Sequence, residues 1–173
     1  MSSDPFITFA YGSNMPTARI RARCASARFV GVAELSGYQL RWHKKSKDGS
    51  GKCDIVRTDR LGASVFGVLY EIASSEKADL DRAEGLGSGY DETEIEVHRG
   101  AERLIVKAYV ASSDAVVPTL KPYTWYRALA VAGAKEHGLP TDYIAGLESV
   151  PANDDPDRAR HDRRMRLVGE VQA

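Results

Sequence analysis

The stretch Phe6-Ile7-Thr8-Phe9-Ala10-Tyr11-Gly12-Ser13-Asn14-Met15 changes character partway along. Residues 6–11 are aromatic and β-branched, the composition of a strand. Gly12-Ser13-Asn14 is a turn cluster. Asn14 is a good helix N-cap and Pro16 suits a first turn, so the spacing predicts a helix over 17–23. Strand, tight loop and helix start then follow one another directly. Such a junction leaves backbone N–H groups unpaired and aimed at one spot, with the positive end of a helix dipole behind them. It attracts a carboxylate, a phosphate or an oxyanion. Gly12 permits close approach of a ligand to the backbone. A capped strand-to-helix turn with no ligand accounts for the same residues, so the rest of the chain must decide between the two.

The 173 residues suit one domain with a real core. Lys+Arg and Asp+Glu balance at 24 each, so net charge argues for neither nucleic acid nor an acidic partner. The charge is uneven, with 11 Lys/Arg against 4 Asp/Glu over residues 19–60. Lys44-Lys45-Ser46-Lys47 lies in that span. It reads as solvated loop surface, since no stacking aromatics accompany it, and no nucleic-acid partner is expected. The two cysteines, Cys24 and Cys53, make no disulfide scaffold, and the four histidines show no ligand spacing. Reduced thiols, no metal, no cofactor and a cytoplasmic setting are expected. No signal peptide or membrane span is expected either. The oligomeric state is not legible.

Outward from the opening stretch, strands are predicted over 28–35, 38–43, 53–57 and 64–72, the last nearly all apolar and hence doubly buried. Residues 90–98 alternate Thr93, Ile95 and Val97 against Glu92, Glu94 and Glu96, a strand with one wet face, and 104–110 pairs back as a hairpin. Helices are predicted over 75–84, over 123–137, and briefly after Thr141. Residues 157–166 suit either an exposed helix or a frayed tail. This order fits an α+β domain whose mixed, mostly antiparallel sheet curls toward a barrel.

A carboxylate stands out on the 75–84 helix. Leu80 and Ala83 mark its apolar face, and Glu84, at i+4 from Leu80, projects from that face. An acid there is costly unless it is paired or used. It also sits at the negative end of the helix dipole, just before Gly85. Outward rotation, or pairing with an arginine, is the plain alternative. Asp79 and Asp81 read as solvated charges. Ser13 has no nucleophile-elbow setting around it and no poised histidine.

Taken together, Tyr11-Gly12-Ser13-Asn14, then Leu80-Asp81-Arg82-Ala83-Glu84-Gly85 with Ser88-Gly89-Tyr90, then Gly133-Ala134-Lys135-Glu136-His137-Gly138-Leu139-Pro140, resemble the γ-glutamylcyclotransferase family. The resemblance runs in the family's order over residues 6–155. It implies a γ-glutamylcyclotransferase-like domain over 1–155 and leaves 156–173 as a charged C-terminal tail. It also implies a small mixed β-barrel with flanking helices, no cofactor, and cleavage of a small γ-glutamyl amide to 5-oxoproline and a free amine. By position, Glu84 falls on the family's acid/base. Ala10, Tyr11, Gly12, Ser13 and Asn14 fall on the substrate-binding loop, and Tyr126 on the pocket tyrosine. Asn14 stands where the family's glutathione-specific branch has Leu. Three alternatives remain open: a γ-glutamyl amino acid as substrate, a γ-glutamyl amine or natural-product amide, and a non-catalytic domain that binds a small acid.

Overall fold

The structure is a computed structural model and describes residues 4–173. Among the described residues, seven strands and five α-helices follow the predicted order. β1 (Phe6–Ala10), β5 (Ser64–Ile72), β2 (Arg28–Ser36), β6 (Tyr90–Arg99) and β7 (Glu102–Ala111) form a closed barrel in that spatial order. All pairs are antiparallel except β1 with β7, which closes the ring in parallel where Thr8 meets Lys107. The expected α+β barrel is therefore the observed fold. β3 (Tyr38–Lys45) and β4 (Gly51–Arg57) stand apart as a two-stranded sheet.

The apolar run of β5 has a structural cause. It lies between β1 and β2, and both of its faces are covered. Val65 and Leu69 join one buried cluster with Phe9, Leu35 and Val97, while Val68, Tyr70 and Ile72 join a second with Met15 and Ile20. The long helix α3 (Thr124–Glu136) buries Leu129 in the first cluster and Ala130 and Ala134 in the second. Gly133 lets that helix press against the loop after β1. A Cβ there would meet Met15 Cβ and Pro16 Cδ at 2.6 Å, well inside van der Waals contact.

Three local expectations are corrected. The helix after the first loop is a single turn, α1 (Thr17–Arg21), and Pro16 rather than Asn14 takes its N-cap position without a side-chain bond. The second helix begins with a 3₁₀ turn over Ser74–Glu76 and continues as α2 (Lys77–Glu84). Its inward face is centred on Leu80 and Glu84. Ala83 is exposed, because one residue turns the helix about 100° away from Glu84. Residues beyond Asp157 form α5 (Arg158–Gln172), preceded by α4 (Thr141–Glu148).

Of the two readings offered for the C-terminal segment, the helix is observed, and it is not fully exposed. Asp157 caps it by accepting from Arg160 N at 2.9 Å. Val168 is buried, with Leu167 and Val171 packed against the same cluster as α3. The preceding Asp155 is buried. It accepts from Trp125 Nε1 at 2.9 Å and takes two bonds of 2.6 Å from the Arg160 guanidinium. Among the described residues no helix is long and apolar enough to cross a membrane.

Candidate active site

The loop after β1 enters a cavity of about 40 Å³ walled by Tyr11, Gly12, Ser13, Asn14, Glu84 and Tyr126, with Ile20 and Leu80 behind them. The Gly12 carbonyl accepts from Met15 N at 3.2 Å, which closes the turn. No acceptor among the described residues takes the N–H groups of Gly12, Ser13 or Asn14. These three donors belong to the loop that lines the cavity. α1 is too short to add much dipole, so the donors themselves carry the attraction for an anion.

Glu84 reaches this wall from α2, and the way α2 ends explains how. Gly85 adopts the left-handed conformation at φ 72°, with Leu86 N bonding Asp81 O at 2.9 Å and Gly85 N bonding Arg82 O at 3.2 Å. That pair of bonds stops the helix one residue after Glu84 and fixes its direction. The Glu84 side chain is 16% exposed. Its Oε1 accepts from Arg23 Nη1 at 3.0 Å and from Asn14 Nδ2. The plain alternative of an arginine partner is thus real. It does not remove Glu84 from the cavity, which the same carboxylate lines. Arg23 and Asn14 offset the unfavourable helix end.

Asn14 shows why it does not cap α1. A carboxylate accepts only, so the amide must turn its Nδ2 toward Glu84. Its Oδ1 is then left buried with no donor among the described residues. A charge-assisted bond to Glu84 is stronger than a neutral cap.

The floor is built on Cys53. Its N–H donates to Tyr126 Oη at 3.1 Å, and its carbonyl accepts from Tyr90 Oη at 2.6 Å. Tyr11 Oη donates to the Tyr109 carbonyl. Burial raises the Tyr11, Tyr90 and Tyr126 phenols well above their ordinary value, so they act as fixed neutral polar groups near neutral pH. Burial also pushes the Cys53 thiol up, which leaves it un-ionised and a poor nucleophile. Gly12 is needed for space, since a Cβ there would lie 3.0 Å from both Cys53 Cβ and Tyr126 Oη. Ala10 ends β1 just before the loop and is buried in the wall.

A second cavity, about 200 Å³, opens from the first and shares Ser13, Glu84, Tyr90 and Tyr126 with it. Glu84 therefore stands at the junction of the two. The outer walls hold side chains that the sequence reading placed elsewhere. Lys44 is 8% exposed rather than solvated, because its ammonium lies 4.5 Å above the Tyr90 ring. Arg164 arrives from α5. Arg23 and Arg19 come from around α1, where a helical spacing of four residues was the available signal. Asp81 is also corrected, since it pairs with Lys77 and accepts from Tyr109 Oη at 2.6 Å. His43 donates to Asp54 at 2.8 Å, a structural contact, and no histidine lines either cavity. Among the described residues no group of three or more His, Cys, Asp and Glu side chains is placed to hold a metal ion.

The γ-glutamylcyclotransferase of Bos taurus is 33% identical over 157 residues, an alignment covering 87% of this chain and 81% of that one. The chain belongs to the γ-glutamylcyclotransferase family. The resemblance read from the three motifs is borne out. The Homo sapiens γ-glutamylcyclotransferase is 31% identical over 159 residues, with the same shares covered. A model of the AIG2-like family matches residues 64–147, a span that includes Glu84 and Tyr126. A solved structure of a γ-glutamyl cyclotransferase superposes with a TM-score of 0.86 at 28% identity, covering 96% of this chain and 99% of that one.

Proposed function

We propose that this protein is a γ-glutamylcyclotransferase that converts a γ-glutamyl amino acid to 5-oxoproline and the free amino acid, with Glu84 as the general acid/base. The observation that carries the proposal is the placement of Glu84, which lines the inner cavity together with the loop that carries the unpaired N–H groups and also borders the outer one.

The chemistry follows from the substrate. A γ-glutamyl group carries its own nucleophile, the α-amine, which closes a five-membered ring on the γ-carbonyl carbon. Holding the chain folded back supplies much of the acceleration. The α-amine is mostly protonated near pH 7, so a base must take a proton from it. That extra proton leaves to solvent, and the Glu84 carboxylate takes a second one from the same nitrogen as the ring bond forms, so that the ring nitrogen keeps a single hydrogen. As the new C–N bond forms, the carbonyl π pair moves onto the carbonyl oxygen as negative charge, while the substrate's α-carboxylate stays anionic throughout. The free N–H groups of Gly12, Ser13 and Asn14 are the donors for an anionic oxygen. Glu84 then passes its proton to the departing nitrogen as the old C–N bond breaks. The glutamyl end occupies the inner cavity and the departing amino acid the outer one, because Glu84 must reach both nitrogens.

Incubation with γ-glutamyl-alanine tests the proposal. Equal amounts of 5-oxoproline and alanine are expected. Release of glutamate instead would mean that water, not the α-amine, attacks, and would overturn it.

A further inference from the structure

The outer cavity holds more positive charge than a simple leaving amino acid needs. Arg19, Arg23, Lys44, Lys52 and Arg164 line it, against the carboxylates of Asp48 and Glu84, which leaves a net charge of +3. Arg23 is paired with Glu84 at 3.0 Å and Lys52 with Asp48 at 2.9 Å. Among the described residues, no carboxylate forms a salt bridge with Arg19, Lys44 or Arg164. Arg19 Nε is also buried with no hydrogen-bond partner.

These three cations come from α1, β3 and α5, elements far apart in the chain that converge on one space. Their arrangement is costly. Burial, then repulsion from Arg23 and Arg164, lowers Arg19 to about 10. Burial also lowers Lys44 and Arg164. Cations drawn partly out of water need anions nearby, and the carboxylates of Glu84 and Asp48 oppose their lowering only in part. The α-carboxylate of a leaving amino acid answers one of the three. Two remain, and the cavity is large enough for a longer side chain.

We infer that the outer cavity selects a leaving amino acid with a second carboxylate, so that the preferred substrates are γ-glutamyl-glutamate and γ-glutamyl-aspartate. This rests on the cyclotransferase reading and adds the identity of the departing half. Arg19, Lys44 and Arg164 determine that specificity and take no part in ring closure.

The experiment compares kcat/KM for γ-glutamyl-glutamate and γ-glutamyl-glutamine, which differ by one charge and little in shape. A preference of about ten-fold or more for the acidic substrate is expected, the effect of one charge-assisted contact. It should shrink as ionic strength rises, because the cavity is open to solvent screening. Arg164→Gln and Lys44→Gln, each checked for folding by thermal unfolding, should each reduce the ratio of the two kcat/KM values about three-fold or more. Equal kcat/KM values for the two substrates overturn the inference and leave the cyclotransferase reading intact. A preference that survives both substitutions also overturns it, since these cations would not be its source. If neither substrate is turned over while γ-glutamyl-alanine is, the inference falls; if γ-glutamyl-alanine is not cyclised either, the cyclotransferase reading falls. Calorimetry with the two dipeptides then decides the inference separately: tighter binding of the acidic one supports it, and equal affinities overturn it.

Discussion

The inner and outer cavities meet at Glu84 and are built on opposite terms. In the inner one nearly every charged or polar side chain has a partner. Glu84 is held by Arg23 and Asn14, and the Tyr90 and Tyr126 hydroxyls are tied to the backbone of Cys53. What stays free there is a small set of fixed backbone donors and one amide oxygen. In the outer cavity Arg19, Lys44 and Arg164 have no carboxylate salt-bridge partner among the described residues, and Lys44 and Arg164 lie instead over the Tyr90 and Trp125 rings. Fixed dipoles suit a step whose geometry must not vary, because they stabilise developing charge without reorganising. Long, flexible cations suit recognition of a group whose shape is less constrained.

The sharpest way to break this contrast is at the shared residue. Glu84→Gln keeps the shape and the contact to Arg23 but cannot carry a proton, so kcat should fall about 10²–10⁴-fold. Binding of 5-oxoproline, measured by calorimetry, should change far less. A variant that cyclises γ-glutamyl-alanine at near-normal rate would remove Glu84 from its role.

Gly12→Val attacks the inner cavity through space alone. The new side chain must displace Cys53 Cβ and Tyr126 Oη, each 3.0 Å from the Cβ position. Overpacking costs about 1–3 kcal/mol of stability, and a shift of about 1 Å in the loop costs about 10²-fold in kcat/KM. Unfolding in urea and steady-state kinetics measure the two effects. Unchanged values in both would mean the loop has slack that the structure does not show.

Asp155→Ala tests the outer cavity from a distance. It removes the acceptor of the buried Trp125 Nε1 and releases Arg160 at the start of α5. One buried donor left unpaired costs about 1–3 kcal/mol. Because α5 carries Arg164, the acidic-over-neutral substrate ratio should fall while ring closure of γ-glutamyl-alanine is largely kept. The pH dependence has a definite sign. Arg160, with help from Trp125 Nε1 and the Asp157 N–H, holds the Asp155 carboxyl well below its usual range. The stability it contributes is present above about pH 4, the ordinary Asp value, and is lost as pH falls further. The variant should therefore show a shallower loss of stability in acid, read from urea midpoints at pH 6 and pH 3. An unchanged acid slope would count against this role for Asp155.

Much of the barrel was legible because period-two patterns are local. The glutamate-in-alternation of β6 and the unbroken apolar run of β5 each report which faces are covered. The parallel closure of β1 on β7 was not legible, since no local residue encodes a partner a hundred positions away. The inner site was legible in kind, as donors and a stray carboxylate. The role given to Asn14 was not, because a capping side chain and a bond to Glu84 look alike until the two are seen together. Lys44 misled for a related reason. A run of lysines looks solvated unless the aromatic ring that covers one of them, here Tyr90, is known. In α5, the spacing of Leu167, Val168 and Val171 was a usable signal, masked by the surrounding charge.

The division between barrel and hairpin has an evolutionary consequence. Glu84 and the loop after β1 are rooted in the helix α2 and the barrel's own strand ends, whereas Lys44 belongs to the separate β3–β4 sheet and Arg164 to the last helix. Mutational drift at Lys44 and along the last helix would retune which amine departs, while Cys53 on the neighbouring strand β4 must be kept because it floors the inner cavity.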